Sequence, residues 1–120
     1  AVRAEADRLG VELVINGRTD ALKHGTAVFE QPEEEAVGRI EAMVEAGARS
    51  VYPVGATEPE QIRKLVGEVS VPVNVTADPV TNEPGDLQAL RELGVRRATW
   101  GPKWQNHMRT SLIESLQAWV

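Results

Sequence analysis

The stretch Leu93-Gly94-Val95-Arg96-Arg97-Ala98-Thr99-Trp100 decides the fold class, because it joins a helix end, a glycine and a short apolar strand. The same order occurs twice earlier, in Leu9-Gly10-Val11-Glu12-Leu13-Val14-Ile15 and in Ala46-Gly47-Ala48-Arg49-Ser50-Val51-Tyr52. Each glycine stands where the residue after a helix adopts a left-handed conformation, which costs glycine little. Another strand is predicted at Val71-Pro72-Val73-Asn74-Val75-Thr76, after a helix that ends near Gly67.

Apolar residues at helical spacing occupy the segments between these strands. They are Val37, Ile40, Met43 and Val44, then Ile62, Leu65, Val66 and Val69, then Leu87, Leu90 and Leu93, and finally Met108, Leu112, Leu116 and Trp119 or Val120. Residues 1–9 are interpreted as the tail of a further helix. Short apolar strands that alternate with helices indicate parallel pairing with right-handed crossovers. The predicted fold class is therefore α/β, with four parallel β/α units.

Four such units would form either a small open sheet with helices on both faces or half of a (β/α)₈ barrel. A Rossmann-type sheet needs a glycine-rich turn after its first strand, but Asn16-Gly17-Arg18-Thr19-Asp20 follows here. A Walker A loop is also missing from the sequence. We find no linker, so residues 1–120 are expected to be one domain or one piece of a domain.

Composition excludes several classes of partner and chemistry. The 120-residue chain has a net charge of -5 with acidic and basic residues interleaved, which argues against nucleic acid or an anionic membrane as partner. It has no cysteine, which excludes disulfides and thiolate chemistry and fits a reducing, cytoplasmic location. The chain begins at Ala1 in the middle of a helical pattern, which suggests a truncated or processed sequence.

Polar residues at the carboxyl ends of the strands are the candidate site, because parallel β/α folds place their chemistry there. Arg18 presents a forked donor suited to a carboxylate or phosphate. The alternative is that Arg18 pairs with Asp20 or orders the loop. Gly55 would allow a ligand close to the backbone, although a plain turn before the next helix is favoured.

Asn74 and Thr76 share parity in their strand, so their side chains face the same way. If they face a barrel interior, the polar groups of each side chain need a hydrogen-bond partner, which is either the other side chain or a ligand. Trp104 and Trp119 are interpreted as packing residues. His24 and His107 lack the spacing of a zinc site, and Glu33-Glu34-Glu35 is explained by the dipole of the helix that follows it.

At this point the sequence resembles a known family. The run Val14-Ile15-Asn16-Gly17-Arg18-Thr19-Asp20-Ala21 is similar to the fifth strand of the isocitrate lyase/phosphoenolpyruvate mutase family, where V-I-x-A-R-T-D-A recurs. Tyr52-Pro53-Val54-Gly55, Pro72 to Thr76 and Trp100-Gly101-Pro102 resemble the sixth, seventh and eighth units in order. The resemblance implies the second half of a (β/α)₈ TIM barrel.

The resemblance also implies roles for individual residues. Arg18 would be the catalytic and substrate-binding arginine, which contacts a carboxylate or phosphonate and stabilises charge in the transition state. Asn74, Thr76 and the backbone of Val75 resemble the second substrate-contact segment. Two departures are Val54, where methylisocitrate-type lyases carry a glutamate, and the start of the last helix, where Asn106 or His107 replaces an arginine.

The family's Mg²⁺ ligands and its lyase cysteine loop belong to strands one to four, which would precede Ala1. The chain is therefore expected to be the substrate-binding half of a Mg²⁺-dependent carbon–carbon lyase. Its substrates would be small 2-hydroxy or 2-oxo dicarboxylates, cleaved through an enolate-like intermediate, and the isolated chain would be inactive. A phosphoenolpyruvate or carboxyphosphonoenolpyruvate phosphonomutase-like enzyme is the alternative.

The alternative outside enzymology is a self-associating half-barrel module. An open half barrel would expose two sheet edges and an apolar inner face, which favours self-association. The expected partner is a second copy of the chain or a complementary barrel half. The resemblance supports a homo-oligomer, because this family exchanges its last helix between subunits.

Overall fold

The computed structural model describes residues 1–119, in which helices and strands alternate as predicted. The strands are β1 (Asn16–Thr19), β2 (Ser50–Pro53), β3 (Asn74–Thr76) and β4 (Arg97–Thr99). The helices are α1 (Val2–Arg8), α2 (Ala21–His24), α3 (Pro32–Glu45), α4 (Pro59–Glu68), α5 (Leu87–Glu92) and α6 (Lys103–Gln117), with a 3₁₀ turn at Gly25–Ala27 after α2. The sequence patterns did not predict α2 or this turn. Val120 lies outside the described residues.

All strand pairing is parallel among residues 1–119, which confirms the α/β class. One ladder joins β1 to β2, and another joins β3 to β4. A single bridge between Val51 and Val73 connects the two ladders, and the Val51 N–H donates to the carbonyl of Pro72 at 3.0 Å. The strands therefore follow one another in chain order across the sheet.

The first strand begins later than predicted, because a strand forms only where a neighbouring backbone pairs with it. The carbonyl of Ile15 accepts the N–H groups of Arg49 and Ser50, and the ladder with β2 starts there. The predicted strand at residues 11–15 is wrong, and Val14 within it is 60% exposed. The other strands are shorter than predicted but overlap their predicted positions.

The helix ends are as the glycines predicted. Gly10, Gly47 and Gly94 all have positive φ, at 66°, 100° and 87°. They follow α1, α3 and α5, so the repeated order of helix end and glycine is a real structural repeat. No helix in residues 1–119 is both long enough and apolar enough to cross a membrane.

The hydrophobic core lies between the sheet and the helices. From the strands it contains Val51, Val73 and Val75; the helical residues buried with them include Ile40, Ile62, Leu65 and Leu90. The predicted apolar faces of α3 and α4 are confirmed. Leu87 is an exception in α5, since it is 75% exposed. Each fully buried aliphatic side chain stabilises the fold by about 1.5–3 kcal/mol.

The opposite side of the sheet is polar, so the expected apolar inner face is wrong. Strand residues alternate between the two sides. Those facing away from the helical core, which we call the polar face, are Asn16, Arg18, Ser50, Tyr52, Asn74, Thr76, Arg97 and Thr99. The helices cover only the apolar side of the sheet, so the polar face is not part of the hydrophobic core.

Candidate functional site

Arg18 lies on the polar face near the carboxyl end of β1, inside the strand and not after it. Its Nε donates to Asp20 Oδ1 at 2.7 Å, and its Nη2 donates to Asp20 Oδ2 at 2.9 Å. Through this hydrogen bonding, Asp20 raises the pKa of Arg18, and Arg18 lowers the pKa of Asp20. The pairing that the sequence left open therefore exists.

This pairing does not prevent Arg18 from binding an anion. A guanidinium has five N–H donors in a planar fork. Asp20 uses the side edge formed by Nε and Nη2. The end edge, formed by Nη1 and the second N–H of Nη2, has no hydrogen-bond acceptor within residues 1–119 and matches a carboxylate or phosphonate. Asp20 orients the fork and the end edge remains open.

Tyr52 supports Arg18 from the neighbouring strand, and sequence reasoning did not select it. The two residues are register partners in β1 and β2, and the Arg18 guanidinium carbon lies 5.8 Å from the centre of the Tyr52 ring. The Tyr52 hydroxyl is hydrogen-bonded to Thr76 Oγ1 on β3. A prediction of the register between β1 and β2 would have placed Tyr52 beside Arg18 and so identified it.

Asn74 and Thr76 lie on the same face of the sheet, as their parity predicted. Asn74 is 1% exposed, and its Nδ2 donates to Thr99 Oγ1 at 3.3 Å. Its Oδ1 is buried without a hydrogen-bond partner in residues 1–119. A buried acceptor without a donor is costly, so Asn74 Oδ1, like Asn16 Oδ1 on the same face, needs a donor.

The Val75 side chain points the other way, into the helical core. Its backbone carbonyl accepts a hydrogen bond from Thr99 Oγ1 at 3.4 Å. The predicted substrate contact through the Val75 backbone stays a prediction.

A glycine is required at position 55 because the backbone of α2 packs directly against it. Its φ is +96°, and a Cβ there would lie 2.6 Å from the backbone nitrogen of Lys23 in α2. The close approach predicted at Gly55 is therefore made by α2. This supports the turn interpretation, and nothing in the geometry gives Gly55 a ligand contact.

Asp78 organises a second cluster just beyond β3, which sequence reasoning did not select. One oxygen, Oδ1, accepts the N–H groups of Val80 and Thr81 and contacts His107 Nε2 at 2.9 Å. Lys103 Nζ lies 3.8 Å from Oδ2. His107, in α6, is thus hydrogen-bonded to Asp78. The pattern Asp78-Pro79 at a strand end was the available signal.

The acids near the strand ends do not fit a magnesium site by themselves. Asp20 is engaged by Arg18 and Asp78 by His107, and the two follow different strands. In the described part of the chain, no three acidic or histidine side chains lie close enough to hold a metal ion. We therefore derive no chemical step through Mg²⁺ from these residues.

Comparison with known proteins defines the class. Residues 1–119 match the family profile described as phosphoenolpyruvate phosphomutase, and the chain belongs to that family. This confirms the resemblance to the isocitrate lyase/phosphoenolpyruvate mutase family seen in the sequence. A comparison with curated proteins gave no match.

Solved structures share the fold. A protein provisionally named a phosphonomutase, from Burkholderia cenocepacia J2315, is 32% identical, with a TM-score of 0.83 over 98% of this chain and 47% of its own. A 2,3-dimethylmalate lyase is 22% identical, with a TM-score of 0.78 over 98% of this chain and 40% of its own. Oxaloacetate acetylhydrolase is 22% identical, with a TM-score of 0.75 over 94% and 37%. The chain therefore spans less than half the length of these proteins.

Replacing Gly55 by alanine should destabilise the protein by about 2–4 kcal/mol, because the new Cβ adds backbone strain to a clash with α2. Gly38→Ala in α3, where a Cβ meets no atom within 4 Å, is the control and should stabilise by about 0.5–1 kcal/mol. Urea unfolding measures both. Equal effects of the two substitutions would contradict the assigned packing role of Gly55.

Removing the charge of Asp78 should change how stability depends on pH. Hydrogen bonds from the backbone N–H of Val80, and then from Thr81 and His107, lower the pKa of Asp78 in spite of its burial. A carboxyl with a lowered folded pKa stabilises the fold above its unfolded pKa of about 4, and this contribution is lost as the pH falls through the folded value.

Asp78→Asn should therefore lower the urea midpoint at neutral pH, and the difference from the wild-type chain should shrink as the pH is lowered towards about 3. Glu41→Gln, on the exposed side of α3, is the matched control and should show a small difference. A deficit in Asp78→Asn that stays constant across this range would argue against a charge effect at Asp78.

Proposed function

We propose that this chain is the substrate-binding half of a carbon–carbon lyase of its family, acting on small 2-hydroxy or 2-oxo dicarboxylates through an enolate-like intermediate. In this proposal the four β/α units form the second half of a (β/α)₈ barrel, as one domain, and the isolated chain is inactive. A cytoplasmic location, expected from the absence of cysteine, belongs to the same proposal. The open end edge of the Arg18 fork is the observation that supports it most directly.

Arg18 would bind one carboxylate of the substrate through its two end N–H donors. The charge-assisted, bidentate pair fixes both the position and the rotation of that group. Arg18 also stabilises negative charge that develops on the substrate in the transition state. Asp20 contributes by holding the guanidinium in one orientation.

Asn74 would bind a second part of the same substrate. Its buried Oδ1 needs a donor, and the hydroxyl of a 2-hydroxy acid provides one. Its Nδ2 is held by Thr99, so the amide orientation is set before the ligand arrives. The predicted contact through Thr76 belongs to the same proposal.

Mg²⁺ enters the proposal as a Lewis acid that would be held by residues outside these 120. The described residues supply the anion-binding part alone, with Asp20 and Asp78 already engaged. What this chain contributes is binding and orientation of the substrate.

A phosphonomutase-like activity is the second candidate. The 32% identical structure is provisionally named a phosphonomutase, and a guanidinium fork binds a phosphonate as well as a carboxylate. In the complete enzyme, Mg²⁺-dependent turnover of 2-methylisocitrate would favour the lyase and turnover of phosphonopyruvate the mutase. Turnover of neither would contradict both.

We propose that the chain associates with a second copy of itself through α6. No residue of α6 is buried, and Met108, Leu112 and Leu116 recur on one side of the helix. Lys103 and His107, which contact Asp78, lie on a different side. The Cα radius of gyration is 17.3 Å, against about 14 Å for a compact chain of this length. We propose that a second copy covers the apolar stripe, with a complementary barrel half as the alternative.

Arg18→Lys should weaken the binding of oxalate and of phosphonoacetate by about tenfold or more, because lysine keeps the charge but loses the fork. Isothermal titration at low ionic strength measures this directly. Arg39→Lys is the matched control, since Arg39 also pairs with a carboxylate, Glu35, and lies over an aromatic ring, Phe29. Equal losses in the two variants would contradict a specific site at Arg18.

The double substitution Leu112→Glu and Leu116→Glu should shift the chain towards the monomer by placing charges on the apolar stripe. The control pair is Thr110→Glu with Gln117→Glu, on the opposite side of α6. Analytical ultracentrifugation over a concentration series gives the dissociation constants. A wild-type chain that stays monomeric at all concentrations would rule out self-association.

A further inference from the structure

We infer that Tyr52, together with Asp20, positions Arg18 for anion binding, with its ring on the guanidinium and its hydroxyl bound to Thr76. This role rests on the proposed function of Arg18. It extends that function, because it assigns a residue that makes no direct contact with the anion.

The register of the sheet brings the two side chains together. Arg18 and Tyr52 are partners in adjacent parallel strands, whose backbones lie about 5 Å apart. The guanidinium carbon is 5.8 Å from the ring centre, within the range of a cation–π contact. The Tyr52 ring therefore contacts the guanidinium, while Asp20 holds its side edge.

These two contacts both limit the motion of Arg18. Asp20 holds its Nε and Nη2 by hydrogen bonds, and the Tyr52 ring contacts the guanidinium from the neighbouring strand. A free arginine side chain has many rotamers, and ordering it before the ligand arrives reduces the entropic cost of binding. The end edge of Arg18 is what remains for the anion.

The hydroxyl of Tyr52 gives the ring a fixed position of its own. It is hydrogen-bonded to Thr76 Oγ1, so side chains on β1, β2 and β3 form one connected row. If Tyr52 served packing alone, phenylalanine would serve equally well. The bond also engages the Thr76 hydroxyl, so Thr76 holds the Tyr52 ring in place.

A comparable pair outside the site offers a control. Arg39 in α3 lies over the ring of Phe29, with its guanidinium carbon 5.1 Å from the ring centre. Arg39 also pairs with Glu35. Phe29→Leu removes an aromatic support of the same kind from a pair that lies outside the polar face.

Tyr52 is the single tyrosine of the chain, which makes the experiment direct. In a chain labelled with ¹³C-tyrosine, all tyrosine ring signals come from Tyr52. Titration with oxalate should shift these signals with the same dissociation constant as calorimetry gives. The Arg18 side-chain Nε–H signal, assigned by its loss in Arg18→Lys, reports the order of the guanidinium in the absence of ligand.

Tyr52→Leu should weaken oxalate binding by about two- to fivefold, the amount that an exposed cation–π contact provides. It should also accelerate exchange of the Arg18 Nε–H. Tyr52→Phe should restore most of the binding, because the ring remains. In the ligand-free chain, Thr76→Val should match Tyr52→Phe in the rate of Arg18 Nε–H exchange, since each removes one end of the same hydrogen bond. Phe29→Leu should change neither readout.

The two proposals fail in different ways. If the wild-type chain does not bind oxalate, the proposed function of Arg18 is contradicted. The effect of Tyr52→Leu on Arg18 Nε–H exchange in the ligand-free chain still tests whether Tyr52 orders Arg18. If Tyr52→Leu leaves both oxalate affinity and Arg18 Nε–H exchange at wild-type values, the positioning role is overturned.

Discussion

The bridge between Val51 and Val73 is the contact on which the rest of the structure depends. Each ladder alone is two-stranded, and a two-stranded pair has little stability in water. The Val51 N–H and the Ser50 hydroxyl both donate to the carbonyl of Pro72, at 3.0 and 3.2 Å. This junction sets β2 beside β3, so that Tyr52 reaches Thr76 and the polar face becomes continuous.

One side of the sheet stabilises the fold, and the other side carries the proposed binding residues. Val51, Val73 and Val75 are buried against α3, α4 and α5, and this burial stabilises the sheet. The other side carries donors and acceptors that water can satisfy, except for the buried Oδ1 atoms of Asn16 and Asn74. A fold that derives its stability from one side can keep the other side polar for a ligand.

The last helix is attached differently from the others. Whereas α3, α4 and α5 contribute buried side chains, α6 is tied to the body through Asp78, His107 and Lys103. Electrostatic contacts at one end of a helix leave the rest of it free to pack elsewhere. The same arrangement explains why Met108, Leu112 and Leu116 are exposed although their spacing is that of a buried helix face.

The sequence by itself determined the alternation of strands with the main helices, the parallel pairing, the shared face of Asn74 and Thr76, and the family. These follow from local patterns: glycines after helices, apolar periodicity and strand parity. The tertiary structure decided what depends on register between distant segments. These features are the position of β1 at Asn16–Thr19 and the contact of Tyr52 with Arg18. They also include the packing of Gly55 against α2 and the hydrogen bond between Asp78 and His107. No local pattern encodes these contacts, because each needs residues that are far apart in the chain to meet.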